Sequence, residues 1–208
     1  MSGKIAIINY GIGNLTSVQN ALKFVGYESS LIDKASDLKN YDKFILPGVG
    51  AFGAAMQNLK TRGFVDELYT EVLTKEKPIL GLCLGMQLFF SRSDENGLFD
   101  GLNWIDGEVK SLKKITQNLS VPHMGWNEIS PTESNILLKN ITPADNIYYF
   151  VHSYACFAEK KEQVLATTTY GATFDVMINQ KNIFGCQFHP EKSQKSGLQI
   201  LKNYVELC

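Results

Sequence analysis

Two kinds of hydrophobic spacing alternate along the first 80 residues. Short apolar runs that are typical of buried strands lie at residues 4–9, 27–32, 44–46 and 79–82. Between them, apolar positions recur at helical spacing at residues 15–25 and, with a break near Gly63, at 54–73. Strands that alternate with helices predict an α/β fold with an open, mostly parallel sheet flanked by helices.

The second half of the chain has a different pattern. Strand-like runs follow one another with short turns that contain Gly, Asn or Lys, at residues 104–112, 146–154, 164–170, 175–179 and 183–188. A last helical pattern covers residues 196–206. We predict that these strands extend the same sheet in an antiparallel or mixed fashion, so that residues 1–208 form a single domain.

Composition narrows the class of protein. The chain has 208 residues, of which 44% are hydrophobic, so it is long enough to bury a full core. Its 20 basic residues nearly balance its 21 acidic ones, which gives no electrostatic reason to expect nucleic acid or an anionic membrane as a partner. No apolar run approaches the roughly 20 residues that span a bilayer. We therefore expect a cytoplasmic protein.

Four cysteines occur in the chain, and one of them has reactive surroundings. None shows C-x-x-C spacing, so we expect neither a metal site nor redox chemistry. Cys83 follows the strand-like run 79–82, precedes a helical pattern that begins at Gly85, and has Gly81 and Gly85 on its two sides. This arrangement is typical of a nucleophile elbow, where a Cβ at either glycine would collide with neighbouring backbone and a helix N-terminus favours the thiolate. The alternative is an inert buried cysteine at the end of a core strand.

A nucleophilic cysteine needs a base and a group that orients the base. The chain has three histidines, and His189 stands directly after the strand-like run 183–188, with Glu191 two residues further on. Residues 47–53 form a glycine-rich loop after another strand, where open α/β sheets build their sites. Nucleophile, base, orienting carboxylate and backbone donors are then all present, although His-x-Glu by itself is also a common surface pattern.

Gly11 and Gly13 invite comparison with a dinucleotide-binding turn. The third glycine of that fingerprint is missing, and Thr16 stands near where it would be. A tight turn at the carboxyl edge of the sheet is the better interpretation.

Taken together, the motif Gly-Leu-Cys-Leu-Gly-Met-Gln at 81–87 and Phe-His-Pro-Glu at 188–191 resemble those of the triad, or class I, glutamine amidotransferases. The resemblance covers essentially the whole chain and implies a flavodoxin-like α/β fold. It implies that Cys83 attacks the carboxamide of L-glutamine, that His189 moves the proton and that Glu191 orients His189. Glutamate and ammonia would be the products.

Within this class, five segments resemble the HisH glutaminase subunits of imidazole glycerol phosphate synthase. They are residues 9–14, 47–52, 122–127 and 148–154, and Lys192. The resemblance implies a heterodimer with a HisF-type (β/α)₈ cyclase, which uses the channelled ammonia to convert PRFAR into imidazole glycerol phosphate and AICAR in L-histidine biosynthesis. It calls for no cofactor.

The resemblance also implies further site residues. The backbone N–H of Leu84 and the segment Gly48, Val49 and Gly50 would form the oxyanion hole. Glutamine would be bound by residues of three different segments, namely Gly50, Gln87, Glu95, Ser153 and Tyr154. Glu95 could otherwise be a solvated loop charge, and Ser153 and Tyr154 ordinary residues at a strand end. A peptide flip at Gly48–Val49 would switch the enzyme on.

A partner surface is implied by the same subfamily. It would include the turn residues Tyr10, Gly11, Ile12 and Asn14, the residues Met124, Trp126 and Asn127, one or both of Tyr148 and Tyr149, and Lys192. Trp and Met are suitable interface anchors, although each is more often a core residue.

Two other functions stay open at this point. Residues 92–97 and 101–107 depart from the usual versions of the subfamily. A related amidotransferase that supplies ammonia for amination of a cell-surface sugar would share all the glutaminase residues. A non-catalytic regulatory module on the same scaffold is the third possibility, and the intact triad argues against it.

Overall fold

The computed structural model describes residues 3–116, 119–132 and 135–208. Fourteen strands lie in this part of the chain. They are β1 (Ile5–Ile8), β2 (Ser29–Ile32), β3 (Lys43–Gly48), β4 (Ile79–Cys83), β5 (Phe90–Ser93), β6 (Phe99–Asp100), β7 (Ile105–Ser111), β8 (His123–Glu128), β9 (Ser130–Pro131), β10 (Ile147–His152), β11 (Tyr154–Ala158), β12 (Val164–Tyr170), β13 (Ala172–Gln180) and β14 (Ile183–Cys186). They include one in each run that the hydrophobic pattern predicts, and β5, β6, β8, β9 and β11 are additional.

Six α-helices accompany the strands in the described residues. They are α1 (Leu15–Phe24), α2 (Phe52–Thr61), α3 (Phe64–Leu68), α4 (Leu84–Gln87), α5 (Leu112–Ile115) and α6 (Gln194–Leu207). The side chain of Asn14 caps α1 by accepting a hydrogen bond from the Ser17 N–H. Gly63, at φ 72°, separates α2 from α3, which is the break that the sequence predicts. A π-helical turn, Tyr69–Thr74, continues α3.

The helix after Cys83 is shorter than its apolar pattern predicts. It is a single turn, because the ring of Phe89 stacks on Trp104 at 5.3 Å between centroids and Phe90 begins β5, opposite Ile105 of β7. Apolar residues after the turn are therefore core residues of a sheet, and not the inner face of a helix. The dipole of one turn is correspondingly a weaker source of thiolate stabilisation than we expected.

Five parallel strands form the centre of the main sheet, in the order β2-β1-β3-β4-β14. The first four follow the flavodoxin-like order, in which ligands bind at the carboxyl ends of the strands. The second half of the chain then extends the sheet through antiparallel β13, β11 and β7, to which β5 is added in parallel. The predicted mixed extension is confirmed.

Alternate residues of β1 divide the core into two layers. Ala6 and Ile8 face the layer that contains Phe52, Leu59 and Phe64 of α2 and α3. Ile5 and Ile7 face the other layer, where α1 and α6 pack and Leu22, Leu201 and Tyr204 are completely buried. The sheet is thus covered on both faces, which leaves the carboxyl ends of the parallel strands as the place for a site.

A separate antiparallel pair, β8 and β10, lies near this edge, with Trp126 opposite Tyr149 and His123 opposite His152. No helix in the described part of the chain is long and apolar enough to cross a membrane.

Candidate active site

Three neighbouring parallel strands, β3, β4 and β14, deliver the candidate residues to one edge of the sheet. Cys83 is the last residue of β4, and it pairs in register with Gly48 at the end of β3. On the other side of β4, Leu82 pairs with Cys186 of β14, which leads directly to Gln187 and His189. Residues more than 100 positions apart in the sequence therefore meet at one place.

Cys83 has the strained backbone of a nucleophile elbow. Its φ is 53° and its ψ is −109°, an unusual conformation for a residue with a side chain. Close backbone packing explains the glycines: a Cβ on Gly85 would lie 1.7 Å from the Leu46 carbonyl oxygen, and one on Gly48 would lie 2.6 Å from the Tyr10 hydroxyl. Gly81 is equally restricted, at 2.6 Å from the backbone nitrogen of Met86. The turn can form only with these small residues.

His189 and Glu191 form a buried pair. Nδ1 of His189 lies 2.8 Å from Oε1 of Glu191, and their side chains are 4% and 2% exposed. This contact fixes Nδ1 as a donor and leaves Nε2, which is buried and makes no hydrogen bond within the described residues, for the reaction. Burial opposes the charge of His189, but the nearby sulfur of Cys83 and the carboxylate of Glu191 outweigh it and raise the pKa of His189 to about 10.

The sulfur of Cys83 has a second polar neighbour that the sequence did not suggest. Nε2 of Gln187 lies 3.7 Å from Sγ, and Oε1 of Gln187 accepts a hydrogen bond from Nε2 of Gln87 at 3.0 Å. Gln187 is completely buried. The sequence does contain a signal for Gln187, because it is an amide inside the otherwise apolar run before His189, and a buried polar side chain requires hydrogen-bond partners. Gln187 therefore donates toward the sulfur and anchors Gln87.

A cavity of about 320 Å³ surrounds the cysteine. It collects ten of the residues predicted from the sequence: Val49, Gly50, Cys83, Leu84, Gln87, Glu95, Ser153, Tyr154, His189 and Lys192. Pro122, Val151 and His152 complete its lining. Gly48 and Glu191 lie behind this surface, against Leu84 and His189 respectively. Its volume is within the range of small-molecule sites.

Glu95 has a structural contact in addition to its place in the cavity. One carboxylate oxygen accepts a hydrogen bond of 2.7 Å from the Phe52 N–H in the first turn of α2. Partial burial, despite that hydrogen bond, raises the pKa of Glu95 above its usual value. Glu95 thereby ties the segment after the glycine-rich loop to the cavity wall, while its other oxygen accepts no hydrogen bond from the described part of the chain.

Gln87 is held by two acceptors. Its Nε2 donates to the Tyr154 carbonyl and to Gln187, both at 3.0 Å, so both amide hydrogens are used within the protein. Only its Oε1 is left for a ligand. Ser153 uses its own carbonyl to accept from the Leu112 N–H, which fixes the backbone of this cavity wall.

The structure corrects two residues of the predicted partner surface. The side chains of Tyr10 and Tyr148 are completely buried, so neither can contact another protein. Tyr148 stacks on Phe188 in the core at 4.1 Å between centroids. The Tyr10 hydroxyl lies close to Gly48 and has no hydrogen-bond partner among the residues that the structure describes. Burial, with a smaller effect from Cys83, raises the pKa of Tyr10 well above its usual value.

The other predicted surface residues differ in exposure. Met124 and Trp126 are 61% and 49% exposed, and the Trp126 ring contacts Tyr149 edge to face. Nζ of Lys192 lies over the Tyr149 ring, at 5.9 Å from its centroid. Gly11 and Asn14 are exposed, whereas Ile12 and Asn127 are half-buried. These contacts and the shared exposed face of β8 define a patch, named here the aromatic patch, which consists of Met124, Trp126, Tyr149 and Lys192. Its member Lys192 also lines the cavity.

The described residues contain no group of three or more His, Cys, Asp or Glu side chains that could hold a metal ion.

Comparison with known proteins assigns the family. The model of the family described as glutamine amidotransferase class-I matches residues 6–207. The chain is 44% identical over 203 residues to imidazole glycerol phosphate synthase subunit HisH of Chlorobaculum tepidum, with 97% of this chain and 99% of the relative covered. It is 46% identical over 203 residues to the subunit of the same name of Moorella thermoacetica, with 98% and 94% covered.

Solved structures agree at the level of the fold. A structure described as PurLQS from Thermotoga maritima superposes with a TM-score of 0.74 at 14% identity, covering 99% of this chain and 98% of that one. A crystal structure described as a glutamine amidotransferase gives 0.70 at 17% identity, covering 97% and 99%. With the elbow, the buried His–Glu pair and the full-length similarity in agreement, the chain belongs to the class I glutamine amidotransferase family.

Proposed function

We propose that this chain is the glutaminase subunit of an imidazole glycerol phosphate synthase, which hydrolyses L-glutamine and passes the ammonia to a HisF-type (β/α)₈ cyclase. The observation that carries the proposal is the convergence of Cys83, His189 and Glu191 at one edge of the sheet, beside a cavity of suitable size. The full-length similarity to HisH subunits supports the choice of acceptor pathway.

The first half of the reaction forms a thioester. The Cys83 thiolate attacks the carboxamide carbon of glutamine, and the carbonyl oxygen becomes an oxyanion. His189, which carries a proton on Nε2 because its pKa is about 10, gives that proton to the departing nitrogen, so that ammonia leaves. Glu191 accepts from Nδ1 throughout and stabilises the imidazolium.

The second half returns the enzyme to its starting state. His189, now neutral, takes a proton from water as the water oxygen attacks the thioester carbon. The C–S bond breaks, and the thiolate and imidazolium are restored. The new γ-carboxyl group loses its proton to water as glutamate is released. No external oxidant or cofactor enters either step.

The oxyanion hole is proposed to need rearrangement. The Leu84 N–H is one donor, because it follows the nucleophile in the elbow. The second would come from the segment Gly48–Gly50, where Gly50 has φ 92° and Val49 is exposed. One such donor typically lowers the activation free energy by ~3 to 4 kcal/mol. A peptide flip that adds or removes this donor would therefore be enough to switch the activity.

Glutamine is proposed to bind with its carboxamide at Cys83 and its α-amino group near Glu95. The free oxygen of Glu95 suits an ammonium, and Oε1 of Gln87 is the remaining polar group of that side chain. Ser153 and Tyr154 would bound the α-carboxylate end.

The cyclase is proposed to dock on the aromatic patch. Trp and Met are strong interface anchors when exposed, and this patch borders the cavity from which ammonia must leave. The cyclase then converts PRFAR to imidazole glycerol phosphate and AICAR. We further propose that residues 1–208 act as one domain in the cytoplasm, which agrees with four free cysteines.

The test is to mix the purified chain with a HisF-type cyclase and measure glutamate release with and without PRFAR. We expect slow hydrolysis by the chain alone, and strong acceleration when both cyclase and PRFAR are present. Full turnover by the chain alone would contradict the proposed closed oxyanion hole. Failure of the complex to release glutamate under any condition would refute the glutaminase assignment.

A further inference from the structure

The two histidines outside the triad form a buried hydrogen-bonded chain. Nδ1 of His123 lies 2.9 Å from Nε2 of His152, and Nδ1 of His152 lies 2.8 Å from the Tyr154 carbonyl oxygen. On its other side, Nε2 of His123 lies 3.2 Å from Nδ2 of Asn127. Both rings are buried, and the proposed reaction steps use neither of them.

The donor and acceptor of each hydrogen bond in this row of side chains follow from the groups at its two ends. A carbonyl oxygen only accepts, so Nδ1 of His152 carries a hydrogen and its Nε2 accepts. Nδ1 of His123 must then donate to that Nε2, which leaves its own Nε2 to accept from the amide of Asn127. The orientation of that amide is fixed in turn, because Oδ1 accepts from the Glu128 N–H and Nδ2 also donates to the Thr169 carbonyl.

Both rings are kept neutral, as this pattern requires. Burial lowers the pKa of His123 to about 4. Burial, followed by smaller effects of its neighbours, lowers the pKa of His152 to about 3. A proton on either ring would place two N–H groups against each other or against the Asn127 amide, so the neutral chain has one arrangement of hydrogens.

The inner end of this row of hydrogen bonds forms part of the cavity wall. The Tyr154 carbonyl receives His152 on one side and Nε2 of Gln87 on the other, and His152 itself lines the cavity. We propose that Asn127, His123 and His152 are positioning residues that, through the Tyr154 carbonyl, hold Gln87 and the adjacent wall in the geometry that binds glutamine.

The outer end of the row of hydrogen bonds, at His123 and Asn127, lies on β8, the strand that carries Met124 and Trp126 of the aromatic patch. Along β8, Met124 and Trp126 are exposed, whereas His123 is buried and Asn127 half-buried, as alternation in a strand requires. One face of β8 therefore meets solvent, while the other face carries the hydrogen-bonded side chains of His123 and Asn127. This inference rests on the proposed function for the identity of the ligand, and the chain of hydrogen bonds itself does not depend on it.

A purely structural role makes the opposite prediction for the same variants. The His123 ring stacks between Phe150 and Tyr170, at 4.7 and 4.2 Å between centroids, and could serve only as a flat filler. His123→Phe keeps the flat ring and removes both hydrogen bonds. His123→Asn removes the ring but keeps a donor at the place of Nδ1, because both nitrogens are two bonds from Cβ.

The kinetic experiment compares these variants in the complex with a HisF-type cyclase and PRFAR. We expect His123→Phe to raise the KM for glutamine about tenfold, the effect of one lost buried hydrogen bond, with kcat within about twofold. His123→Asn should stay within about threefold in KM although it unfolds at a lower temperature than His123→Phe. Tyr170→Phe is the control, because it keeps the stacked ring and removes only a hydroxyl bonded to the Ser120 carbonyl. An unchanged KM for glutamine in His123→Phe would overturn the proposal, whatever the KM of His123→Asn.

A second measurement needs neither partner nor activity. In ¹⁵N NMR spectra of the isolated chain at pH 7, both His123 and His152 should be neutral with the hydrogen on Nδ1. A hydrogen on Nε2 of either ring would overturn the inference directly. Absence of glutamate release by the wild-type complex would instead count against the proposed function, so the two failures are distinguishable.

Discussion

The stability of this protein should depend on pH in two opposite directions, because all three of its histidines are buried. In the unfolded chain each has a pKa near 6.5. In the folded state, burial lowers the pKa of His123 to about 4 and that of His152 to about 3, whereas Cys83 and Glu191 overcome burial and raise the pKa of His189 to about 10.

The signs follow from which state binds more protons. Below pH 6.5 the unfolded chain takes up protons on His123 and His152 that the folded chain refuses, so stability falls as the pH falls. For His189 the folded state binds the extra proton. Its contribution is fully present below pH 6.5 and is lost as the pH rises toward 10. Stability should therefore be greatest at about pH 6.5 to 7.

The acid limb is large compared with the total stability of a domain. One proton corresponds to about 1.4 kcal/mol per pH unit, so His152 lowers the free energy of unfolding by about 2.5 kcal/mol at pH 4.5. His123 is less deeply buried, so its effect is counted at half that value because of solvent screening. Together, His123 and His152 lower the free energy of unfolding at pH 4.5 by about 4 kcal/mol. Typical domains have a free energy of unfolding of only about 5 to 15 kcal/mol, so a marked loss of stability at pH 4.5 is expected.

Urea denaturation at half-unit steps from pH 4.5 to 9, followed by tryptophan fluorescence, measures both limbs. Two variants separate them. His123→Phe should make the acid limb less steep without removing it, because His152 still contributes the larger part. Cys83→Ala should make the alkaline limb less steep, because it removes one of the groups that raise the pKa of His189. A free energy of unfolding that is constant between pH 4.5 and 6.5, or that increases from pH 7 to 9, would falsify this reasoning.

Four further predictions concern single substitutions. Cys83→Ala should abolish glutamine-dependent product formation in the cyclase complex while leaving synthesis from added ammonium salt intact, and loss of both activities would contradict its assignment as nucleophile. Gln187→Leu should lower glutaminase kcat roughly tenfold, because Sγ and Gln87 each lose a hydrogen bond, and an unchanged kcat would exclude a role for the amide. Tyr10→Phe should leave the free energy of unfolding unchanged or raise it by up to about 1 kcal/mol, since its buried hydroxyl lacks a partner; thermal denaturation checks this, and a clear loss would show a missed hydrogen bond. Gly85→Ala should prevent soluble expression because its Cβ meets the Leu46 carbonyl. Gly26→Ala, whose Cβ has no described atom within 4 Å, should lower the free energy of unfolding by only about 1 kcal/mol because of its positive φ. Equal effects of the two variants on thermal stability would contradict the steric argument.

Much of the fold and of the site follows from local sequence patterns. Strand and helix spacing predicted the parallel centre, the break at Gly63 and the mixed extension, because alternation and helical spacing are properties of neighbouring residues. The elbow at Cys83 was predictable for a similar reason, since the two flanking glycines stand within two residues of the cysteine, although the carbonyl that restricts Gly85 belongs to Leu46 on a neighbouring strand. His189 and Glu191 were found because the base and its orienting carboxylate are adjacent in the sequence.

Features that depend on distant segments could not be derived in the same way. The apolar residues after Cys83 resemble a helix, and only Trp104 and the pairing of β5 with β7 make them part of a sheet. The subfamily resemblance placed Tyr10 and Tyr148 on the partner surface, but both are buried, against Gly48 and Phe188, which lie far away in the chain.

The sequence by itself determined which residues can do chemistry, because nucleophile, base and backbone donors are marked by residue type and by their immediate neighbours. The tertiary structure decided how those residues are held. Gln187 reaches Cys83, and His123 reaches His152, only because β14 lies beside β4 and β10 pairs with β8. Such contacts join segments whose spacing in the sequence carries no period, so strand pairing alone brings them within hydrogen-bonding distance.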